Sequence, residues 1–341
     1  MTRPAYRLLL DGTDITTRLQ GRLIRLTLAD NRGFETDQLD IELDDGDDGL
    51  ALPRRGATVA LHLGWAGQAL EDKGTYIVDE IEHSGAPDRL TIHARSADLR
   101  TGITTKRQRS FHGHTVGDIV RSVAAANDLT PAIGAALASI ALEHIDQTDE
   151  SDANLLTRIA LDLDAITTVK AGRLLFVKAG QATTASGKPL DTVTITRASG
   201  DNHRYHVADR AGYTAVRAHY HDKASATQKS VLVGNETIDE DEENPNEPTA
   251  ANTKTLRHIY ASAANATRAA KAEWQRIQRG VATFQLTLAT GRTDLFPEIP
   301  VKVAGFKPEI DDADWLITRA THTLDDSGLI TALEMEYKPE G

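Results

Sequence analysis

Over the first hundred residues, apolar and polar positions alternate. Leu39, Ile41 and Leu43 alternate with Asp40 and Glu42, the period of two expected of a half-buried strand. Residues 6–10 run into the turn Asp11-Gly12, and further strands are predicted at 23–28, 58–63, 75–82 and 89–94, each bounded by Gly, Pro or Asp. Short strands at this spacing predict a small antiparallel barrel or sandwich over residues 1–100.

The period changes near Thr101. Val116, Ile119, Val120 and Val123 share one helical face behind a capping box, Thr115 with Asp118, and Pro131 must follow that helix. A second helix is predicted from Asp152, with Leu155, Leu156, Ile159, Ala160 and Leu163 on its stripe. A hairpin around Ala171-Gly172 and a strand at 193–196 complete a small α+β domain over residues 101–200.

Strand patterns return at 213–220 and 230–233. Residues 234–252 carry Asp239-Glu240-Asp241-Glu242-Glu243 and two prolines, which predicts a solvated acidic loop leaving the second β unit. Residues 253–279 give the longest helical signal, with Leu256, Ile259, Ala263, Ala266, Ala270, Trp274 and Ile277 on one stripe and Gly280 as C-terminal cap. Its polar face is basic, with Lys254, Arg257, Arg268, Lys271, Arg276 and Arg279 against Glu273 alone. It is predicted to lie across the face of a barrel, with its charges in water or against an acidic neighbour. Strands resume at 281–288, 299–303, 315–323 and 329–336.

The predicted fold class is therefore α+β and β-rich: two similar antiparallel β-barrel domains, 1–100 and 201–341, flank the α+β domain 101–200, with one long helix in the second barrel. An internal repeat supports the pairing. Gly64-Trp65, Tyr76, His83 and Ser84-Gly85 are matched by Gly305-Phe306, Trp315, His322 and Ser327-Gly328, and in both copies the aromatic precedes the histidine by seven residues. Duplication of one fold follows, with Tyr76 and Trp315 in equivalent positions.

Composition narrows the chemistry. The 341 residues hold 38 Lys+Arg against 50 Asp+Glu, a net charge of −12, and no cysteine. Disulfides, thiolate metal sites and cysteine nucleophiles are excluded. No apolar run is long enough to span a bilayer, and the first residues lack the apolar core of a signal peptide, so a soluble protein of a reducing compartment is expected. The acidic balance argues against broad binding to a phosphate backbone, although the basic helix leaves DNA as a reading that a salt-dependent shift would support. No Gly-x-Ser-x-Gly, P-loop, His-Glu-x-x-His or dinucleotide-binding motif is present. Two histidine groups have metal-like spacing: His112 with His114, and His203 and His206 with His219 and His221, for which Asp209 and Asp222 are the nearby carboxylates. Polar strand histidines are commoner than ligands, so no catalytic, cofactor-binding or metal residue is assigned.

Several stretches resemble the late control protein D family of contractile-tailed phages. These are Arg109-Ser110-Phe111-His112-Gly113-His114-Thr115-Val116-Gly117-Asp118-Ile119-Val120, the helix-opening run Asp146-Gln147-Thr148-Asp149-Glu150-Ser151-Asp152, and the C-terminal order of Trp315, Thr318-Arg319, His322, Ser327-Gly328 and Leu333-Glu334. The family is similar to the hub part of type VI secretion spike proteins. The resemblance implies a structural baseplate hub of the virion, assembled in the host cytoplasm. A homotrimer would form a pseudo-sixfold ring that joins the hexameric tail tube to a separate spike protein and contacts other baseplate proteins, with no specific nucleic acid and no direct membrane insertion. A tail-tip cell-wall hydrolase, built on paired carboxylates or histidines, is the alternative. Asp149, Ser151 and Thr115 are read as helix N-caps, and Phe111 and Trp315 as core anchors.

Overall fold

The structure is a computed structural model that describes residues 3–96, 102–170, 172–207, 213–222, 224–234 and 252–339. The first unit holds β1 (Pro4–Leu10), β2 (Thr13–Asp14), β3 (Leu23–Asn31), β4 (Gln38–Asp44), β5 (Thr58–Trp65), β6 (Glu71–Ser84) and β7 (Arg89–Ser96). Along β4, Leu39, Ile41 and Leu43 are buried, as the alternation requires. The middle unit runs β8 (Lys106–Thr115), α1 (Val116–Ala126), β9 (Thr130–Ile133), α2 (Ala135–Ala138), β10 (Ala141–Ser151), α3 (Asp152–Leu163), β11 (Ala165–Lys170) and β12 (Arg173–Lys178). The last unit begins with β13 (Val193–Thr196), β14 (Gly200–Val207), β15 (Ala215–Asp222), β16 (Thr227–Gly234) and β17 (Thr253–Tyr260). It continues through α4 (Ala263–Arg279), β18 (Ala282–Leu288), β19 (Pro300–Ala304), α5 (Pro308–Asp311), β20 (Trp315–Asp325) and β21 (Gly328–Tyr337).

One 13-stranded sheet crosses both outer units in the order β14-β18-β21-β20-β3-β4-β7-β6-β5-β1-β2, with β19 and β13 branching from β20. The join is the antiparallel pairing of β20 with β3, from Arg319 opposite Asn31 to Asp325 opposite Arg25. The two predicted barrels are thus replaced, among the described residues, by one sheet whose path ends at β14 on one side and at β1–β2 on the other. The reason lies in β20, which is long enough to serve two neighbours: its start pairs with β19 and its remainder with β3. Apolar side chains still gather in separate cores. Leu26, Leu28, Leu61 and Leu63 fill the first, which also takes Leu324 and Leu329 from the last two strands. Phe284, Leu286, Trp315 and Met335 fill the other.

The two halves share a strand order. The path β3-β4-β7-β6-β5-β1 in the first runs as β14-β18-β21-β20-β19-β13 in the last. Tyr76 on β6 lies opposite Val59 of β5, and Trp315 on β20 lies opposite Val301 of β19. Two differences interrupt the likeness. β13 runs parallel to β19 whereas β1 runs antiparallel to β5. His83 is exposed beside Asp45, whereas His322 is fully buried.

Several expectations are corrected. Residues 253–260 form β17 rather than the start of a long helix, because Thr253, Thr255, Ile259 and Tyr260 are β-branched or aromatic and pair with β15. Helix α4 starts only after Ser262, whose hydroxyl accepts the Asn265 N–H, and its 17 residues span about 26 Å. It lies on the separate sheet β16-β15-β17 rather than on a barrel face, with Ala266, Ala269 and Ala270 packed on Val216 and Ala218. Strand 193–196, expected in the middle unit, belongs to the large sheet through β19. The middle unit's own core, including Ile119, Val123, Leu155 and Phe176, draws on its helices and the β11-β12-β9 sheet. Residues 235–251, which carry the acidic run, lie outside the described residues.

Candidate functional site

A half-buried polar seam holds the three units together. Lys170, at the end of β11, reaches out of the middle unit to Asp30 at 2.8 Å and to Asp37 of the first unit. Burial works against the Lys170 ammonium, but the two carboxylates outweigh it and hold its pKa above the ordinary value. Burial pushes Asp37 up and Lys73 down from their ordinary values. Lys73 Nζ donates to the Thr293 carbonyl at 3.1 Å, and Trp65 Nε1 donates to the Gly291 carbonyl at 3.0 Å, so the first unit is tied to the last through two backbone oxygens.

A second chain of charge runs alongside. Arg32 pairs with Glu298 and with Glu336, each at 2.6 Å. Glu336 also meets Arg279 at 3.3 Å, and Arg279 grips Asp164, at the end of α3, with both terminal nitrogens. Arg279, one of the basic residues expected in water or against an acidic neighbour, is buried against Asp164. Asp164 adopts a left-handed conformation that ends α3, and the Arg279 guanidinium and Lys178, acting against burial, hold its carboxyl below the usual range. Beside these pairs opens a cleft of about 760 Å³, lined by Lys73, Lys170, Ile133, Leu175, Leu190 and Phe296. Cations and anions match along the seam, which suits it to fixing the angle between units.

The run from Gln147 to Asp152 has a structural role that the sequence reading did not foresee. Gln147 and Asp152 are fully buried. Gln147 accepts from Arg109 Nε at 2.6 Å and donates to Asp152 at 2.9 Å. Asp152 also accepts from Arg109 Nη2 at 2.5 Å and from Asn127 at 2.9 Å, and it pairs with Arg107 at 3.2 Å. Five side chains thus bind β8, β10 and the junction of α1 with α3. The arginines at 107 and 109 on the facing strand were the signal that this acid is paired inside. Ser151 caps α3 and Thr115 caps α1 in a full capping box, as expected. Asp149 is not a cap: it sits at a positive φ of 48° in the bulge between Gln147 and Glu150 and pairs with Lys106 at the surface. Phe111 and Trp315 are buried.

The histidines regroup. His112 meets His144 across the β8–β10 ladder, with 3.0 Å between their Nδ1 atoms, while His114 packs edge-on against Phe111. His203 and His206 lie on β14 of the large sheet and His219 and His221 on β15 of another, so they do not form one group. His203 packs edge-on against Phe306 and lies near Phe284, Asp222 is engaged by Lys229, and Asp209 lies outside the described residues. Among the described residues no group of three or more His, Asp or Glu could hold a metal ion, and no helix is long and apolar enough to cross a membrane.

The edges of the large sheet are the other candidate surface. At one end, β14 is exposed along nearly its whole length and presents Tyr205 and Val207. At the other end of the main path lie β1 and the short β2, and the branch from β20 ends at β13. An unpaired strand edge is a template for another chain.

Residues 24–328 match the family model described as phage tail baseplate hub (GPD). The chain is 48% identical, over 98% of its length and 93% of the relative's, to the "Probable baseplate hub protein" of Escherichia phage 186. Solved structures share the fold at low identity. A tail protein from Neisseria meningitidis MC58 superposes with a TM-score of 0.70 at 16% identity, covering 98% of this chain and 96% of that one. An E. coli component of the type VI secretion system gives 0.58 at 13% identity over 94% and 76%. The breadth of the family match and near-half identity to a phage hub protein bring the resemblance in the motifs to one conclusion: the chain belongs to the phage tail baseplate hub family, a structural component of the contractile tail.

Proposed function

We propose that three copies of this chain close head to tail into a ring that docks the hexameric tail tube on one face and a separate spike protein on the other. The observation that carries this reading is the shared strand order of the two outer units within one branched sheet whose terminal strands, among the described residues, are β14, the β1–β2 pair and β13. Each chain then offers the tube two related docking surfaces, and three chains offer six. A contact between unlike edges closes a ring when its rotation divides the circle, and joining β14 to the β1–β2 end of the next copy would pair the two ends of the main path, leaving β13 free to meet another protein. Three copies carry −36, and a closed ring concentrates such a field in its bore, so the lumen repels DNA rather than holding it. The ring assembles in the host cytoplasm with the other baseplate proteins, and its role needs no turnover.

Mass photometry of the purified chain, alone and with the spike protein, tests the ring. A trimer in either sample supports it; a monomer or dimer in both, at concentrations where tails assemble, refutes it. Peptidoglycan hydrolysis by the same sample would instead favour a tail-tip hydrolase.

A further inference from the structure

We propose that His112 and His144 form a binding site for a divalent transition ion that takes imidazole ligands, such as Ni²⁺, Cu²⁺ or Zn²⁺. The two residues stand directly opposite each other on β8 and β10. Their rings lie 4.4 Å apart between centroids with 31° between planes, and the two Nδ1 atoms face each other at 3.0 Å. Two nitrogens that close share a single proton.

Which nitrogen keeps its proton follows from the next neighbour. His144 Nε2 lies 2.9 Å from an Asp146 oxygen, and a carboxylate only accepts, so Nε2 carries the hydrogen. Neutral His144 therefore turns a lone pair on Nδ1 toward His112. Asp146 is itself fixed by the Ser110 hydroxyl at 2.5 Å. Metal-binding imidazoles are held in this way, with the far N–H on a carboxylate that sets tautomer and ring direction.

The separation suits an ion. With metal–nitrogen bonds of about 2.0–2.1 Å, a right-angle pair of ligands needs about 2.9 Å between nitrogens and a tetrahedral pair about 3.3 Å. The observed 3.0 Å falls between these values. When the ion enters, it takes the lone pairs of both Nδ1 atoms, and the shared proton moves to His112 Nε2. Hard ions such as Mg²⁺ and Ca²⁺ prefer oxygen and gain little from two imidazoles. The remaining positions belong to water, and the side chains are open to it: His144 and Asp146 are about half exposed. His114 was the natural partner for His112 by sequence spacing, but its ring packs against Phe111 instead.

The test is calorimetric titration of the full chain, without a polyhistidine tag, with Ni²⁺, Zn²⁺ and Mg²⁺. One Ni²⁺ or Zn²⁺ per chain is expected, with affinity reduced at least tenfold by His112→Ala or His144→Ala and unchanged by His114→Ala. Asp146→Asn should weaken it about tenfold through the lost carboxylate. Electron paramagnetic resonance of the Cu²⁺ adduct of the unsubstituted chain should show two coordinated imidazole nitrogens, a readout that does not depend on how the variants fold. Absence of saturable binding, an affinity that survives both alanine variants, equal binding of Mg²⁺, or fewer than two imidazoles on Cu²⁺ would overturn the assignment.

Discussion

Asp152 and Asp149 stand three residues apart in one motif, and their surroundings give them opposite weight. Removing one member of a buried ion pair strands its partner and costs about 3–5 kcal/mol, while an exposed pair contributes about 0–1 kcal/mol. Asp152→Asn should therefore lower the free energy of unfolding by about 3 kcal/mol in urea titration, because Arg109 and Arg107 lose their carboxylate. Asp149→Asn, at a side chain 79% exposed and with a residue that also tolerates its positive φ, should shift it by less than about 0.5 kcal/mol. Sequence reading found the motif and two real caps, Thr115 and Ser151, because capping depends on neighbours in the chain. It missed Gln147 and Asp152 because their partners come from other elements. His322 shows the same limit. Its match to His83 was legible, but its burial was not. Burial, aided by the Lys73 ammonium, pushes its pKa from 6.5 down to about 3. The folded chain then binds fewer protons than the unfolded chain between those values, so this contribution is full above about pH 6.5 and is lost as pH falls toward 3. Lowering the pH from 7.5 to 5 should cost about 2 kcal/mol of unfolding free energy through this side chain, and His322→Gln should flatten that dependence.

Among the elements, α4 shows how period and propensity compete. Leu256 and Ile259 extended the helical stripe backwards, yet the β-branched and aromatic residues around them found a strand partner in β15, and the cap at Ser262 fixed the boundary. Both signals were in the sequence; the neighbouring strand that decided between them was not. Ser262→Ala should lower stability by about 1 kcal/mol through loss of the cap. Arg279→Ala should do more, because Asp164 and Glu336 would keep buried charge without their common partner. Hydrogen exchange is the readout that separates the two. The arginine variant should raise exchange in α3 as well as α4, whereas the cap variant should affect the first turn of α4 alone.

For the whole molecule, the order of β units around an insertion was legible because turns and alternation are local. Their fusion into one sheet was not, since it depends on β20 meeting β3 across nearly the full length of the chain. The open end of that sheet carries the proposed ring contact. Val207→Lys places a charge on the exposed face of β14, a device by which natural edge strands resist pairing. Mass photometry of that variant should show a shift from trimer toward monomer with no loss of thermal stability.

The β20–β3 ladder also gives the hub a mechanical character. Units joined by a linker can swing, but units joined by a run of backbone hydrogen bonds, backed by Leu324 and Leu329 set into the neighbouring core, must tilt together or break many bonds at once. A load applied to one outer unit is therefore passed to the other through backbone, as through a plate. The middle unit is fastened to the first by Lys170 and by Phe34 set against its core, and to the last by Arg279, Arg276 on the Leu161 carbonyl and Tyr260 on Asp162. Stiffness across the plate follows from which bonds join which parts: a load on one outer unit reaches the other through the sheet, while the middle unit, whose strands lie outside that sheet, is held by side chains rather than by a shared ladder.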